Sequence, residues 1–321
     1  MRRQRSSAVA AVLIVLLLIA VPLVFSADIA NTLSRVLAMA LLAVSLDLLV
    51  GVSGMPSLGH AAPFGVGAYT AAIVTRDVGA FALVPLAAAI ITGGLFALVT
   101  GFFIVRTKGT YFLMLTLAVA EIFHVGARRW EEITGGTNGL YGVPSITLVP
   151  GGEAVTIAGI RYWWLLLVFF VGFAVIWWTS RSTLGRSLRG LRDNEQRMAS
   201  LGYNTFGLKL AVYAIAGAVA GAAGAMWTAQ NRFVSPEDLA FEVSAMALLA
   251  VVVGGRGRLW GAVFGAALVT IVRDDIGSTA GGHGDLLLGL VFIAVVYLLP
   301  RGVAGTSWRQ LLDRRPREES A

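Results

Sequence analysis

Apolar runs of roughly 15 to 25 residues recur from one end of this 321-residue chain to the other, and they restrict the fold more than any other feature. In lipid the backbone has no water to bond to. Without closing a barrel, only an α-helix satisfies its own N–H and C=O groups there. The runs fall at 8–25, 33–50, 61–75, 81–105, 111–127, 162–179, 208–229, 243–253, 259–272 and 286–300. The expectation is an all-α polytopic membrane protein of about ten transmembrane helices, built as one membrane domain over 1–321. Segments 61–75, 243–253 and 259–272 are shorter than the roughly 20 residues of a straight span, and glycine interrupts or flanks them, as in broken helices that line a pathway. The first run follows Arg2, Arg3 and Arg5 and reads as an uncleaved span, although Phe25-Ser26-Ala27 has the form of a cleavage site.

Charge orients the helices. With the N-terminus inside, the inner segments are 1–7, 51–60, 106–109, 180–207, 254–258 and 301–321, and they hold most of the 25 lysines and arginines. Both termini and the 180–207 loop are then cytoplasmic, and 128–161 is the large outer loop. Topology explains the net charge of +7, so nucleic acid is not needed as a partner. Within the outer loop, 146–149 and 154–158 are short β-favouring runs around Pro150-Gly151-Gly152, a candidate hairpin. The tail from 307 to 321 is charged and reads as frayed.

Enzyme chemistry finds little support. There is no P-loop motif and no cysteine, and His60, His124 and His283 lie too far apart for metal-ligand spacing. Gly254-Gly255-Arg256-Gly257 imitates a dinucleotide turn, but Trp260 stands where the third glycine belongs. No cofactor or metal is expected in this chain. Ionisable residues inside spans are costly, so Asp47, Glu121 and His60 are candidates for a translocation pathway. A shift of 200 residues superposes Val52, Gly54, Ala62, Phe64 and Gly65 on Val252, Gly254, Ala262, Phe264 and Gly265, so two glycine turns each feed a short span. Gly217, Gly221 and Gly224 form a small-residue face suited to helix packing.

The longest polar stretch, 181–203, carries five arginines and two acids. Leu184, Leu188, Leu191 and Met198 recur at helical spacing, with Arg186, Arg189, Asp193 and Arg197 on another side. Arg189–Asp193 and Asp193–Arg197 read as i,i+4 pairs on one amphipathic helix. Such a helix in a cytoplasmic loop is a docking surface, a lipid-surface helix or a solvated connector.

Five stretches in order resemble the permease subunits of branched-chain amino acid ABC importers, LivM type. They are Ser57-Leu58-Gly59-His60-Ala61-Ala62 with Gly65-Val66-Gly67-Ala68-Tyr69; Thr134-Gly135-Gly136-Thr137-Asn138-Gly139-Leu140; Gly185-Arg186-Ser187-Leu188-Arg189 through Arg192-Asp193-Asn194-Glu195 to Ala199-Ser200-Leu201-Gly202; Gly254-Gly255-Arg256-Gly257; and Pro300-Arg301-Gly302. The chain departs from the family at Met55-Pro56, where a glutamine is common, at Pro63, and at Ala262 after Gly261. The resemblance implies a multi-pass protein of the inner (plasma) membrane with three kinds of partner: two cytoplasmic ATPase subunits that hydrolyse ATP, a second related permease, and an extracytoplasmic binding protein. It makes 181–203 an ATPase-coupling helix with Gly185, Arg186, Arg189, Arg192, Asn194, Glu195, Arg197 and Gly202 as its working residues. Asp47, Ser57, Gly59, His60, Tyr69, Glu121, Gly254 and Gly255 become pathway candidates, and Thr134, Gly135, Gly136 and Asn138 shape the outer mouth. A urea or short-amide ABC permease shares much of this pattern. An ion-coupled secondary transporter, with Asp47 and Glu121 as coupling carboxylates, is the reading from another class.

Overall fold

The computed structural model describes residues 17–149, 152, 154, 155, 157–276, 286, 289, 290 and 293. The expected cytoplasmic tail, the start of the first run and most of 286–300 lie outside the described residues. Among the described residues, five helices are long and apolar enough to cross a membrane. The first, α1 (Ala27–Asp47), runs on through a π-helical turn at Leu48–Val52. It is buried along nearly its whole length, with Leu41, Leu42, Leu46, Leu48 and Leu49 fully enclosed. A helix apolar on every side belongs at the centre of a bundle. Around it stand α5 (Ala158–Arg181), α8 (Thr205–Asn231), α9 (Phe241–Gly254) and α10 (Leu259–Thr270). Completing the bundle are α2 (Ala61–Asp77), α3 (Leu83–Ile104) and α4 (Thr110–Arg129), while α6 (Thr183–Asp193) and α7 (Glu195–Ser200) fill the expected coupling segment.

Glycine sets how closely these helices approach. Gly217, Gly221 and Gly224 form the face of α8 that meets α2 and α3, as expected for a packing face. A Cβ on Gly221 would run into the Ala89 carbonyl, and one on Gly224 into the Phe64 carbonyl. Removing side chains lets backbone meet backbone where lipid offers no hydrophobic drive for association. By contrast, a Cβ on Gly126 of α4 meets nothing within 4 Å. Gly126→Ala is therefore expected to leave thermal stability unchanged or raise it by up to ~1 kcal/mol through helix propensity, checked by melting of the purified protein.

The two ends of the bundle are closed differently. At the end expected to face outward, Asn31 of α1 accepts from Arg161 Nη2 (2.9 Å) and from Gln230 Nε2 (3.1 Å), tying three helices together. The outer loop is held by two isolated backbone bridges, Phe81 with Thr147 and Leu140 with Val234. No strand forms among the described residues. Of the candidate hairpin there remain the bonds Val155 N to Ile146 O (2.8 Å) and Gly152 N to Val149 O (2.9 Å).

The single helix expected over 181–203 is two. Asn194 is extended (φ −160°), and its side chain accepts from Arg197 N at 2.9 Å, capping α7. Asparagine satisfies an orphan donor better as a cap than as a helix-interior residue. The break separates Asp193 from Arg197, and Arg189 donates to the Ser180 carbonyl (2.8 Å) instead, so neither expected i,i+4 pair forms. The apolar stripe also points inward: Leu188, Leu191 and Met198 are buried against the bundle, leaving Arg186, Arg189 and Arg197 exposed.

Candidate functional site

The segment between α1 and α2 is an irregular chain buried among helices, where every polar group needs a protein partner. Ser57 and His60 are both buried. His60 Nε2 and Ser45 Oγ of α1 are 2.8 Å apart, Leu58 N donates to Thr116 Oγ1 of α4 (3.2 Å), and Ala61 N donates to Ser244 Oγ of α9 (2.8 Å). Gly59 lies so close to the Thr116 carbonyl that a Cβ would not fit. The Ser-Leu-Gly-His stretch thus acts as a strap through three helices, its side chains spent on holding the turn.

The second turn, between α9 and α10, meets the first. Gly257 N donates to Asp47 Oδ1 at 2.7 Å, and Gly51 packs so tightly on Gly257 and Asp47 that only glycine fits there. The two glycine turns suggested by the 200-residue repeat are therefore physically joined through a buried carboxylate. Gly254 packs on the Gly261 carbonyl, and Gly255 takes φ 100°, a conformation that disfavours a side chain. Arg192 of α6 reaches this junction: its Nη1 donates to the Gly51 carbonyl, its side chain covers Gly54, and its charge acts on Asp47. Sequence reasoning placed Arg192 and Asp47 in different groups. No spacing rule connects an arginine of the polar loop with a carboxylate 145 positions earlier; only the fold does.

A second tie fixes the same loop. Glu195 accepts from Lys209 Nζ at 2.7 Å and lies 3.2 Å from Lys108 Nζ, joining α7 to α8 and to the loop between α3 and α4. Burial alone pushes the Glu195 carboxyl up, but the hydrogen bonds and charges of Lys209 and Lys108 outweigh it and hold it below its ordinary value of 4.5. Its contribution is therefore present above the ordinary carboxylate range and lost as pH falls through the lowered value. The protection factors of 195–209, corrected for the intrinsic exchange rate, are expected to be flat near neutral pH and to fall only in acid; Glu195→Gln should lower them at every pH. Lys209 is 5% exposed, so losing its partner strands a buried charge.

At the outer end, Thr134 donates its hydroxyl to the Ala127 and Trp130 carbonyls, both at 2.6 Å. Gly135 and Gly136 adopt positive φ and carry the chain through a short turn ending at Asn138. A Cβ on Gly139 would strike the Val234 carbonyl, so this loop rests on the approach to the turn Pro236–Leu239. Tyr69 and Glu121 lie nearer that turn than the inner strap: Tyr69 is buried on α2, and the Glu121 side chain is half-exposed on α4, 3.4 Å from His124.

The sequence of residues 28–296 matches the family described as "Branched-chain amino acid transport system / permease component". The chain belongs to that family. The permease is 31% identical over 294 residues to the high-affinity branched-chain amino acid transport system permease protein LivM of Salmonella typhimurium, covering 84% of this chain and 68% of that protein. Its identity to the Escherichia coli K12 LivM is also 31%, with the same coverage. The ribose import permease protein RbsC of Haemophilus influenzae is 25% identical over 311 residues, covering 94% of each chain. No solved structure matches. The family is a permease component, so the chain is a multi-pass transport protein rather than an enzyme with its own ATPase site.

Proposed function

We propose that the chain is one membrane subunit of an ABC importer that takes branched-chain amino acids from an extracytoplasmic binding protein and is driven by two cytoplasmic ATPase subunits. A second related permease completes the pathway, and the assembly sits in the inner membrane with both termini cytoplasmic. The observation that carries this reading is the Arg192–Gly51 contact. It connects an exposed cationic loop to the junction of two broken helices through a single side chain. Arg186, Arg189 and Arg197, with exposed Leu201 and Tyr203, supply a basic surface with apolar anchors for an ATPase. Movement of α6 is passed to Gly51, and from there through Asp47 to Gly257, so both turns respond together. A ribose import permease is also similar over most of the chain, so similarity alone does not choose the solute. The higher identity to LivM supports an amino acid.

The test is recovery of the C-terminally tagged chain from mild detergent, followed by mass spectrometry and uptake in proteoliposomes. A P-loop ATPase and a second multi-span permease are expected, with ATP-dependent leucine uptake. Recovery of the chain alone, with uptake driven by a proton or sodium gradient, overturns the proposal.

A further inference from the structure

Three elements converge well inside the outer half of the bundle. Tyr69 and Glu121 each lie eight residues before the outer ends of α2 and α4, at Asp77 and Arg129, which is about 12 Å down a helix. The turn Pro236–Leu239 packs against both helices. Its Asp238 is fully engaged, accepting from Trp227 Nε1 at 3.0 Å and from Ser235 N at 2.8 Å, and so anchors the turn. The neighbouring Glu237 is left free to face α4.

Between them stands His124. It is 8% exposed, and neither ring nitrogen has a hydrogen-bond partner. Nδ1 is 3.4 Å from Glu121 Oε1, and Nε2 is 3.8 Å from Glu237 Oε2. The imidazole is flanked by two carboxylates without being satisfied by either. The carboxylates themselves are open, with side chains 52% and 69% exposed. Among the described residues neither is paired with a lysine or arginine. Tyr69, 6% exposed, also carries a hydroxyl with no partner, within electrostatic reach of Glu237 and Asp238. Two accessible carboxylates and two unpartnered buried polar groups, set about 12 Å down from the helix ends, form a site short of a cation.

We propose that Glu121 and Glu237, with His124 and Tyr69 behind them, receive the ammonium group of the amino acid in transit. An ammonium brings three donors and one charge, enough to engage both carboxylates and one further acceptor. A metal ion is a poorer match, because no described group of three or more ligating side chains converges to hold one. A neutral sugar can donate hydroxyls to the pair but brings no charge to balance it. The site also spans two separately held elements, so a shift of α4 against the turn parts the carboxylates and weakens their hold, giving the two access states different affinities.

This inference rests on the amino acid reading above, and the experiment separates the two. The complete importer is reconstituted in proteoliposomes with radiolabelled leucine, as wild type, Glu121→Gln/Glu237→Gln, and Asp28→Asn as a remote control. The double variant is expected to lose uptake by about tenfold or more, while the control is unchanged and binding-protein-stimulated ATP hydrolysis persists. Saturation-transfer NMR on the solubilised complex uses isoamylamine and isocaproate as probes. Contact with the amine but not the acid is expected, and it should vanish in the double variant. A wild type inert toward leucine overturns the amino acid reading itself. A double variant that transports leucine normally, or an amine contact that survives it, overturns only the ammonium site. Should the variant fail to assemble, the probes applied to wild type and to Glu121→Asp decide: equal contact by amine and acid overturns the site.

Discussion

Arg192→Glu is expected to abolish ATP-driven uptake while the ATPase subunits still bind. The substitution removes the donor to the Gly51 carbonyl and sets a second negative charge near Asp47, whose buried Oδ2 already lacks a hydrogen-bond partner. A hydrogen bond from a charged donor contributes about 1.5–3 kcal/mol, and the introduced repulsion adds to its loss. The effect falls on the joint between loop and pathway, so ATP hydrolysis continues uncoupled from transport. Arg189→Glu with Arg197→Glu gives the complementary result. Those arginines lie on the exposed side, and their reversal should release the ATPase from the membrane fraction. Co-purification together with uptake distinguishes the two; equal behaviour of both variants would refute the division of labour.

Gly221→Val is expected to be among the most damaging single substitutions in the bundle. Its Cβ would collide with the Ala89 carbonyl, and the opposing Gly93 Cα lies 3.2 Å from that position. Overpacking in a core costs about 1–3 kcal/mol where side chains can shift; here the obstacle is backbone on both sides, so the loss should exceed that range. Yield of monodisperse protein by size-exclusion chromatography should fall sharply, whereas Gly126→Val, facing open space, should purify normally.

That the chain is helical and apolar enough to cross a membrane was legible in the sequence, because lipid imposes a length and a polarity that composition reports directly; of the ten expected spans, five among the described residues are helices of full spanning length. The short spans before and after the two glycine turns were legible for the same reason, and the small-residue face of α8 packs as its spacing suggests. Asn194 was harder to read. Heptad-like spacing of Leu184, Leu188, Leu191 and Met198 looks continuous, yet a capping asparagine ends one helix and starts another without disturbing the apolar side. The amphipathic pattern of the loop is open to a docking surface, a lipid-surface helix or a solvated connector; periodicity reports that a face is buried but not whether its cover belongs to the same chain. The pairing of Asp47 with Gly257, and of His124 with two glutamates, depends on which helices become neighbours, and local pattern carries no record of that.

The inward turn of Leu188, Leu191 and Met198 bears on biogenesis. A permease whose cytoplasmic helices were held only by its motor subunits would expose greasy surface from the moment of insertion until those subunits arrived. Here Leu188, Leu191 and Met198 are covered by the chain itself, the Glu195 tie to Lys108 and Lys209 holds that cover in place, and Leu201 and Tyr203 are the large apolar groups of the loop left exposed. The greasy surface that a late partner would have to cover is thereby cut to two large side chains, which shortens what the newly inserted protein has to protect while it waits in the bilayer.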